Sequence, residues 1–469
     1  KTPNNTIFSL PLPPKNIKMQ TFKLTEDIID HIRELITTDQ KQELKEYLES
    51  LHFADIAEIT SELELDEAAY ILSLLNREKA SETLTEVDEE VLEHILDNLS
   101  NEEIARDLQE LDTDDAAYLI SELTEERQTQ ILSHLEDKEH AQDIVDLLRY
   151  EEDTAGGLMA KELVKVNENW GVDICMEKIR EQAQHVTRVH SIYVVDDNEV
   201  LKGRLSLKDL LTSSSDAHIR DIYIPKVDFV FVYDTSEEVA RVMQKYNLEA
   251  IPVVDKMHRL VGRITIDDIV DVIKEEAEHD YQMAAGITQD VEADDTIWKL
   301  TRARLPWLLI GMVGGIGAAS IINGFQAGLN SFPVLLLFIP LIQSTAGNVG
   351  VQSSAIVVQG LANNSIDGAL LGRLMKEFLL GLINGLALAF LVLIMSHFIF
   401  GSSYKESATV CIALVTVIIN AAVIGTFIPL FLHKRGVDPA VATGPFITTS
   451  NDILGILIYF IIAKIILGF

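Results

Sequence analysis

Cysteine is almost missing: Cys175 and Cys411 are the only two in 469 residues. One falls in a polar half of the chain and the other in an apolar run, which excludes a disulfide framework and fits a reducing compartment. Basic charge is scarce as well. Lysine and arginine number 38 against 73 aspartates and glutamates, a net charge of −35. That balance excludes ordinary nucleic-acid binding, which needs a basic footprint, and attachment to an anionic lipid surface. No nucleotide-hydrolysing loop and no nucleophile–base pair stands out, so an enzyme has the least support. The stretch from Lys1 to Lys18 is rich in proline and asparagine and lacks the apolar core of a secretory leader. We expect Met19 to be the native start and residues 1–22 to form a disordered tail.

What is present divides unevenly. From Trp298 onward there are five acidic residues against nine basic ones, and the first 297 residues carry 68 against 29. An acidic surface this dense must hold cations or repel itself, although solubility alone accounts for part of the excess. The basic half contains five apolar runs, Leu305–Asn323, Phe332–Leu361, Leu374–Phe400, Ala408–Leu432 and Pro439–Phe469. Crossing a bilayer takes roughly 20 apolar residues, so each can span. Arg302, Arg304, Arg373, Lys376, Lys434 and Arg435 all fall on one side of these spans. Basic residues collect on the cytoplasmic side. This predicts an inside location for the acidic half and an outside carboxyl terminus, in a cytoplasmic membrane.

Residues 23–150 read as an all-α superhelix. Lys23 to Leu51 is predicted helical, with Ile28, Ile29, Ile32, Leu35 and Ile36 on one face. Then Ile56-Ala57 and Asp66-Glu67-Ala68-Ala69-Tyr70 recur as Ile104-Ala105 and Asp114-Asp115-Ala116-Ala117-Tyr118, at an offset of 48. Pairs of short amphipathic helices at such a period suggest a solenoid. The acidic cluster Asp88, Glu89, Glu90, Glu93 and Asp97 reads as a solvated face.

A second duplication follows in residues 151–272. Ser191-Ile192-Tyr193-Val194-Val195-Asp196 matches Ala250-Ile251-Pro252-Val253-Val254-Asp255, Gly203 matches Gly262, and Asp209 matches Asp268, all at an offset of 59. This α/β pattern resembles a pair of CBS domains. The resemblance implies an adenine nucleotide such as ATP in the cleft, with Ser206 and Asp209 in one copy and Thr265 and Asp268 in the other as ribose contacts. A nucleotide-free, dimerising pair is the equal alternative.

Residues 273–300 are expected to form a linking helix toward the membrane. Asp268, Asp271, Glu275 and Glu278 share one helical face, flanked by Asp267, Glu276 and Asp280. Like charges at this spacing oppose the helix unless cations intervene. Hard divalent ions such as Mg²⁺ favour oxygen clusters of this kind. The competing reading is a solvated linker.

Two spans are unlike ordinary membrane helices. Span two carries Pro340, Gln343, Ser344, Thr345, Gly347, Asn348, Gly350, Gln352, Ser353 and Ser354, too many polar and small groups to face lipid. Span five carries Gly444-Pro445 and Thr448-Thr449-Ser450-Asn451-Asp452, a run expected to loosen the helix and offer oxygens. Asp452 is costly in hydrocarbon and marks a wet cavity or an ion, or else a helix end at the interface. In span one, Gly311, Gly314, Gly315 and Gly317 suggest close helix contact.

The order of parts resembles the MgtE family of magnesium channels. The carrying motifs are Glu152-Asp153-Thr154-Ala155-Gly156, Gly347-Asn348-Val349-Gly350-Val351-Gln352-Ser353, and Asp438-Pro439-Ala440 through Gly444-Pro445-Phe446 to Asp452. Thr154 and Thr443 stand where the family commonly has serine, and Val351 where a polar residue is frequent. The resemblance implies a multidomain fold: an N-terminal superhelix, a tandem CBS pair, a linking or plug helix, and five transmembrane helices. It also implies a homodimer with one pore lined by spans two and five. Asp452 would bind the ion, with Asn348 beside it and Gly347, Gln352, Thr448 and Thr449 lining the path. Backbone carbonyls near Thr448 and Gly347 would share the work. Cytosolic Mg²⁺ held by the acidic region would close the pore. An ion-coupled carrier of the same fold, with Glu377 or His397 as a second titratable group, and a membrane-anchored nucleotide sensor are the alternatives.

Overall fold

A computed structural model describes residues 22–469 apart from 122, 187, 290, 292–294, 363–365, 367–369 and 443, and leaves out the side chains of 89, 90, 441 and 442. The expected tail, save Phe22, lies outside the described residues, as does Thr443. The chain forms two compact units, residues 1–273 and 274–469.

In the first unit, ten helices among the described residues run from Glu26–Thr37 to Lys138–Leu147. The repeat appears as Phe53–Ser61 with Leu65–Leu74, and Asn101–Leu108 with Thr113–Ser121. Equivalent apolar positions are buried in both copies: Ile56 and Ile104, Ala57 and Ala105, Ala68 and Ala116. Sequence-local signals set the boundaries. At Ser100, the backbone N–H and hydroxyl donate to Glu103 Oε2 at 2.9 and 2.7 Å, closing a capping box before Asn101–Leu108. The stretch from Lys23 to Leu51 is two helices rather than one, Glu26–Thr37 and Lys41–Glu49. Asp39 takes a left-handed conformation (φ 53°), and Gln40 N–H donates back to Leu35 C=O. This closure ends the first helix, and aspartate tolerates the left-handed region better than most residues.

The CBS pair consists of two three-stranded sheets. In each, a parallel strand precedes an antiparallel pair: Val164–Asn167, Ile192–Val195 and Leu201–Leu205, then Val230–Phe231, Ala250–Val254 and Leu260–Thr265. The register slips at Val194/Val195 and at Val253/Val254, the same place in both copies. The junction Asp153-Thr154-Ala155-Gly156 joins the second copy. Ala155 and Gly156 donate to Asp234 and Val232 carbonyls, and Ser236 donates to Asp153.

The acidic helix occupies Ile266–Ala285, shorter than the linking helix drawn to residue 300. Gly286 (φ 81°) donates to Met283 C=O and Ile287 to Gln282 C=O, a left-handed cap that ends the helix.

The second unit contains five helices long and apolar enough to cross a membrane: Ile297–Gly324, Val334–Ala362, Leu370–Phe398, Tyr404–His433 and Gly444–Leu467. Small residues let them approach closely. Added side chains at Gly381 and Gly385 would stand 3.0 Å from Ile419 Cα and 3.2 Å from Val415 Cα, on the fourth helix. Of the span-one glycines, Gly314 packs on Thr449 and Gly317 faces Ile453, while Gly311 and Gly315 have nothing within 4 Å. Gly425, on the fourth helix, lies against the Gly350 carbonyl.

A backbone carbonyl cannot swing aside like a side chain. Gly425→Ala is therefore expected to cost about 1–3 kcal/mol and to lower the melting temperature of detergent-solubilised protein. Gly372→Ala, where nothing lies within 4 Å, is expected not to lower it. Equal melting temperatures for Gly425→Ala and the parent would contradict the packing.

Candidate functional site

The second and fifth membrane helices meet at Gly347. A side chain there would begin 3.1 Å from Thr448 Cγ2 and 3.6 Å from Asp452 Oδ1. Thr448 and Asp452, one turn apart, thus face a position where the opposing helix is bare backbone. Among the described residues Asp452 has no ion pair. Its neighbour Asn451 is buried against Gly350 with neither amide atom hydrogen-bonded. Beyond Gly347 the second helix turns a polar strip outward: Ser344, Asn348 and Gln352, four residues apart, are all exposed.

Two expectations about this region need correction. The Thr448-Thr449-Ser450-Asn451-Asp452 run is regular helix. The Thr448 hydroxyl bonds inside its own helix, to Gly444 C=O at 2.9 Å. Carbonyls near Thr448 and Gly347 are likewise engaged by helical N–H groups, so side chains carry most of the polar work. Thr449 stands a further 100° round and puts its methyl on Gly314 of the first helix.

The acidic helix separates into two groups. Asp271, Glu275, Glu276, Glu278 and Asp280 are exposed along it. Asp268 turns back at the N-terminus, where its Oδ2 accepts from Thr265 N–H (3.0 Å) and hydroxyl (2.6 Å). It belongs to a cluster that sequence reasoning did not assemble. Asp112, Asp114 and Glu162 bring carboxylate oxygens within 4.8 Å of one another. Asp115 sits close enough to feel Asp268, Asp112, Glu86 and Asp267. Burial first, then these neighbouring carboxylates, push Asp115 up to about 7. Burial and then Asp115 and Asp268 raise Asp114 well above the ordinary range. Asp268 is raised by burial and by Asp267, against the Thr265 hydrogen bonds. Compensation is partial. Arg263 Nη2 lies 3.2 Å from Asp112 Oδ2, and Glu162 Oε2 accepts from Thr113 N–H (3.2 Å) and Oγ1–H (2.8 Å). A donor set made of carboxylate oxygens and held together against repulsion fits a hard divalent cation. The signal was there in Asp112-Thr113-Asp114-Asp115, but the repeat equated Asp114 and Asp115 with Asp66, which is exposed, and Glu67, which lies 3.4 Å from Arg33.

The two CBS copies treat their nucleotide candidates differently. Ser206 and Asp209 line a cavity of about 460 Å³ with His190, Arg204 and Lys208. Thr265 and Asp268 instead bond each other beside the acidic cluster.

Raised carboxyl values make the folded unit bind protons more tightly than the unfolded chain, whose aspartates titrate near 3.9. Stability contributed by this cluster is therefore lost as pH rises through the folded values. In metal-free buffer, Asp115→Asn is expected to raise the melting temperature most at pH 8, by about half as much at pH 5.5, where the unfolded chain has already lost the proton, and little below the unfolded value near 3.9. Millimolar Mg²⁺ is expected to narrow the pH 8 difference. A pH-independent, Mg²⁺-independent effect of this substitution would contradict the assignment.

The chain matches the family model "MgtE: Divalent cation transporter" over residues 339–462, the MgtE intracellular N domain over 51–153, and the CBS domain over 155–216 and 219–275. It is 33% identical over 458 residues to the magnesium transporter MgtE of Thermus thermophilus, covering 95% of this chain and 99% of that protein. It is 36% identical over 332 residues to the magnesium transporter MgtE of Enterococcus faecalis, covering 71% and 73%. Among solved structures, it is similar to the cytosolic domain of the Mg²⁺ channel MgtE in complex with ATP: 35% identity, TM-score 0.48, 52% of this chain and 99% of that one. The chain belongs to the MgtE family of magnesium transporters, as a multi-pass membrane protein with a CBS pair.

Proposed function

We propose that the chain is a channel which lets Mg²⁺ enter the cytosol down its gradient, and that cytosolic Mg²⁺ closes it. The observation that carries this reading is Asp452 facing Gly347, beside the exposed strip Ser344, Asn348 and Gln352. Polar groups at membrane depth require water or a partner. Two copies of the chain about a two-fold axis would face two strips and two Asp452 carboxylates across one path, matching one divalent charge. Mg²⁺ sheds water reluctantly, so these groups hold the hydrated ion through its outer waters. The membrane potential supplies about 2.3 kcal/mol per charge per 100 mV, doubled for Mg²⁺. Six basic residues at the 297, 370 and 433 ends of the helices support a cytosolic amino-terminal half and an outside carboxyl terminus.

Repulsion opposes closure, and its relief permits it. Without cations Asp114, Asp115 and Asp268 oppose one another, and Asp271, Glu275, Glu276, Glu278 and Asp280 oppose one another along the helix. Mg²⁺ relieves both. The helix end reaches the fifth membrane helix: the Ala284 carbonyl lies against Gly444 (φ 47°), and Gly286 lies against Pro445. The cavity at Ser206 and Asp209, with Arg204 and Lys208 to meet phosphate, takes an adenine nucleotide such as ATP, which tunes that closure.

The pairing of Glu377 with Arg373 and the contact of His397 with Ser402 C=O weigh against a coupled carrier, because both titratable candidates are already engaged. Asp452→Ala is expected to abolish Mg²⁺ uptake in reconstituted liposomes, while parent current reverses at the Mg²⁺ equilibrium potential. Uptake by that variant, or a reversal that follows pH, would overturn the channel reading.

Asp114, Asp115, Asp268, Asp271, Glu275 and Glu278 changed together to their amides are expected to conduct but to close poorly. The closing Mg²⁺ concentration should rise about tenfold or more. Closure at the parent concentration would remove the sensor assignment.

A further inference from the structure

Glu377 lies in the third membrane helix, Leu370–Phe398, and is 4% exposed. Its Oε2 accepts a hydrogen bond from Ser353 Oγ at 3.2 Å, and its Oε1 lies 4.0 Å from Arg373 Nε, one turn earlier. Ser353 belongs to the second helix and is itself 6% exposed. At 100° per residue, it stands about 140° round from Asn348, on the side away from the exposed strip. That buried side is otherwise mostly apolar, with Leu335, Ile339, Ile342, Ala346 and Val357, and the buried Ser354 hydroxyl has no hydrogen-bond partner among the described residues. A second directional tie, Tyr459 Oη donating to Leu335 C=O at 2.9 Å, lies near the helix's first residue. Apolar contacts are non-directional and set a helix's rotation less sharply than a hydrogen bond does. A hydrogen bond to a carboxylate is directional and short-ranged. A lone carboxylate at this depth would be costly, and Arg373 stands beside it one turn earlier.

We propose that Glu377 is a positioning residue for conduction: by holding Ser353 it fixes the rotation of the second helix, so that Asn348, Gln352 and Gly347 stay turned to the ion path. This rests on the reading of Asp452 and the polar strip as that path. Glu377 does not touch the ion. It acts from behind the helix that does, and the charge serves the hydrogen bond rather than the cation.

The test uses the full chain in liposomes, normalised to inserted protein. Ser353→Ala and Glu377→Met are expected to cut the maximal Mg²⁺ rate about tenfold, the factor for one charge-assisted hydrogen bond, and to change the ratio of Mg²⁺ to Co²⁺ rates. Glu377→Gln keeps an acceptor for Ser353 and is expected to restore both rate and ratio. Rotation is read directly with Asn348→Cys after Cys175 and Cys411 are replaced by alanine. Reaction of the introduced thiol with a water-soluble reagent is expected to slow in the Glu377→Met background and to persist with Glu377→Gln. Unfolding would speed that reaction instead. Parent rate and ratio in Ser353→Ala, a Gln variant as defective as Met, or unchanged thiol reactivity at position 348 would each overturn the proposal. Asp452→Ala measured alongside separates the two readings. If it conducts, the path reading fails. If it is silent while Ser353→Ala is normal, only the positioning role fails.

Discussion

A charge at membrane depth has to be answered by water, by an opposite charge or by a bound ion. The membrane unit answers its two interior carboxylates in opposite ways. Glu377 is buried, hydrogen-bonded by Ser353 and accompanied by Arg373. Asp452 is partly exposed and has no ion pair among the described residues. The first is paired and held in place, and can serve structure. The second is left without a counter-charge among the described residues, as the proposed conducting site requires. Proximity to Gly347 completes the contrast, because bare backbone opposite Asp452 leaves room where Glu377 is enclosed.

The soluble unit repeats the principle in a wetter setting. Asp112 has Arg263 at 3.2 Å, while Asp114, Asp115 and Asp268 crowd one another enough to hold protons more tightly than ordinary aspartates. Like charges held this close repel, and the proposed closing ion would relieve that repulsion. The acidic helix continues from Asp268 to Ala285 without a break, so both groups of carboxylates act on one rod. Its end is fixed by a glycine cap rather than left frayed, and Gly444 has no side chain to cushion the Ala284 carbonyl.

Much of this was legible in the residues. Both duplications appear as structural repeats, down to the identical register slip at Val195 and Val254. The five spans follow from hydropathy, and Asp452 and Asn348 stand out because polar groups there violate the local rule. What could not be read is what depends on tertiary approach. Thr448 to Asp452 look like helix breakers, yet the fifth helix is regular because packing overrides propensity. Glu162 is remote in sequence from Asp112 and Asp114, and the three converge only once the superhelix meets the CBS pair. Glu377 looked like a coupling group until Ser353 and Arg373 were found beside it.

The single chain carries two features that are incomplete by themselves. One is the strip Ser344, Asn348 and Gln352, exposed along a membrane helix. The other is one carboxylate facing a cation of charge two. Lipid cannot cover the first, and neither other acid of the described membrane helices supplements the second: Glu377 is already committed, and Glu406 is engaged in the capping box with Ser403 at the start of the fourth helix. In the proposed dimer a two-fold axis would remedy both at once, setting strip against strip and Asp452 against Asp452 across the same water. That a single symmetry operation resolves two independent deficits is the strongest physical reason to place the ion path between subunits rather than through one.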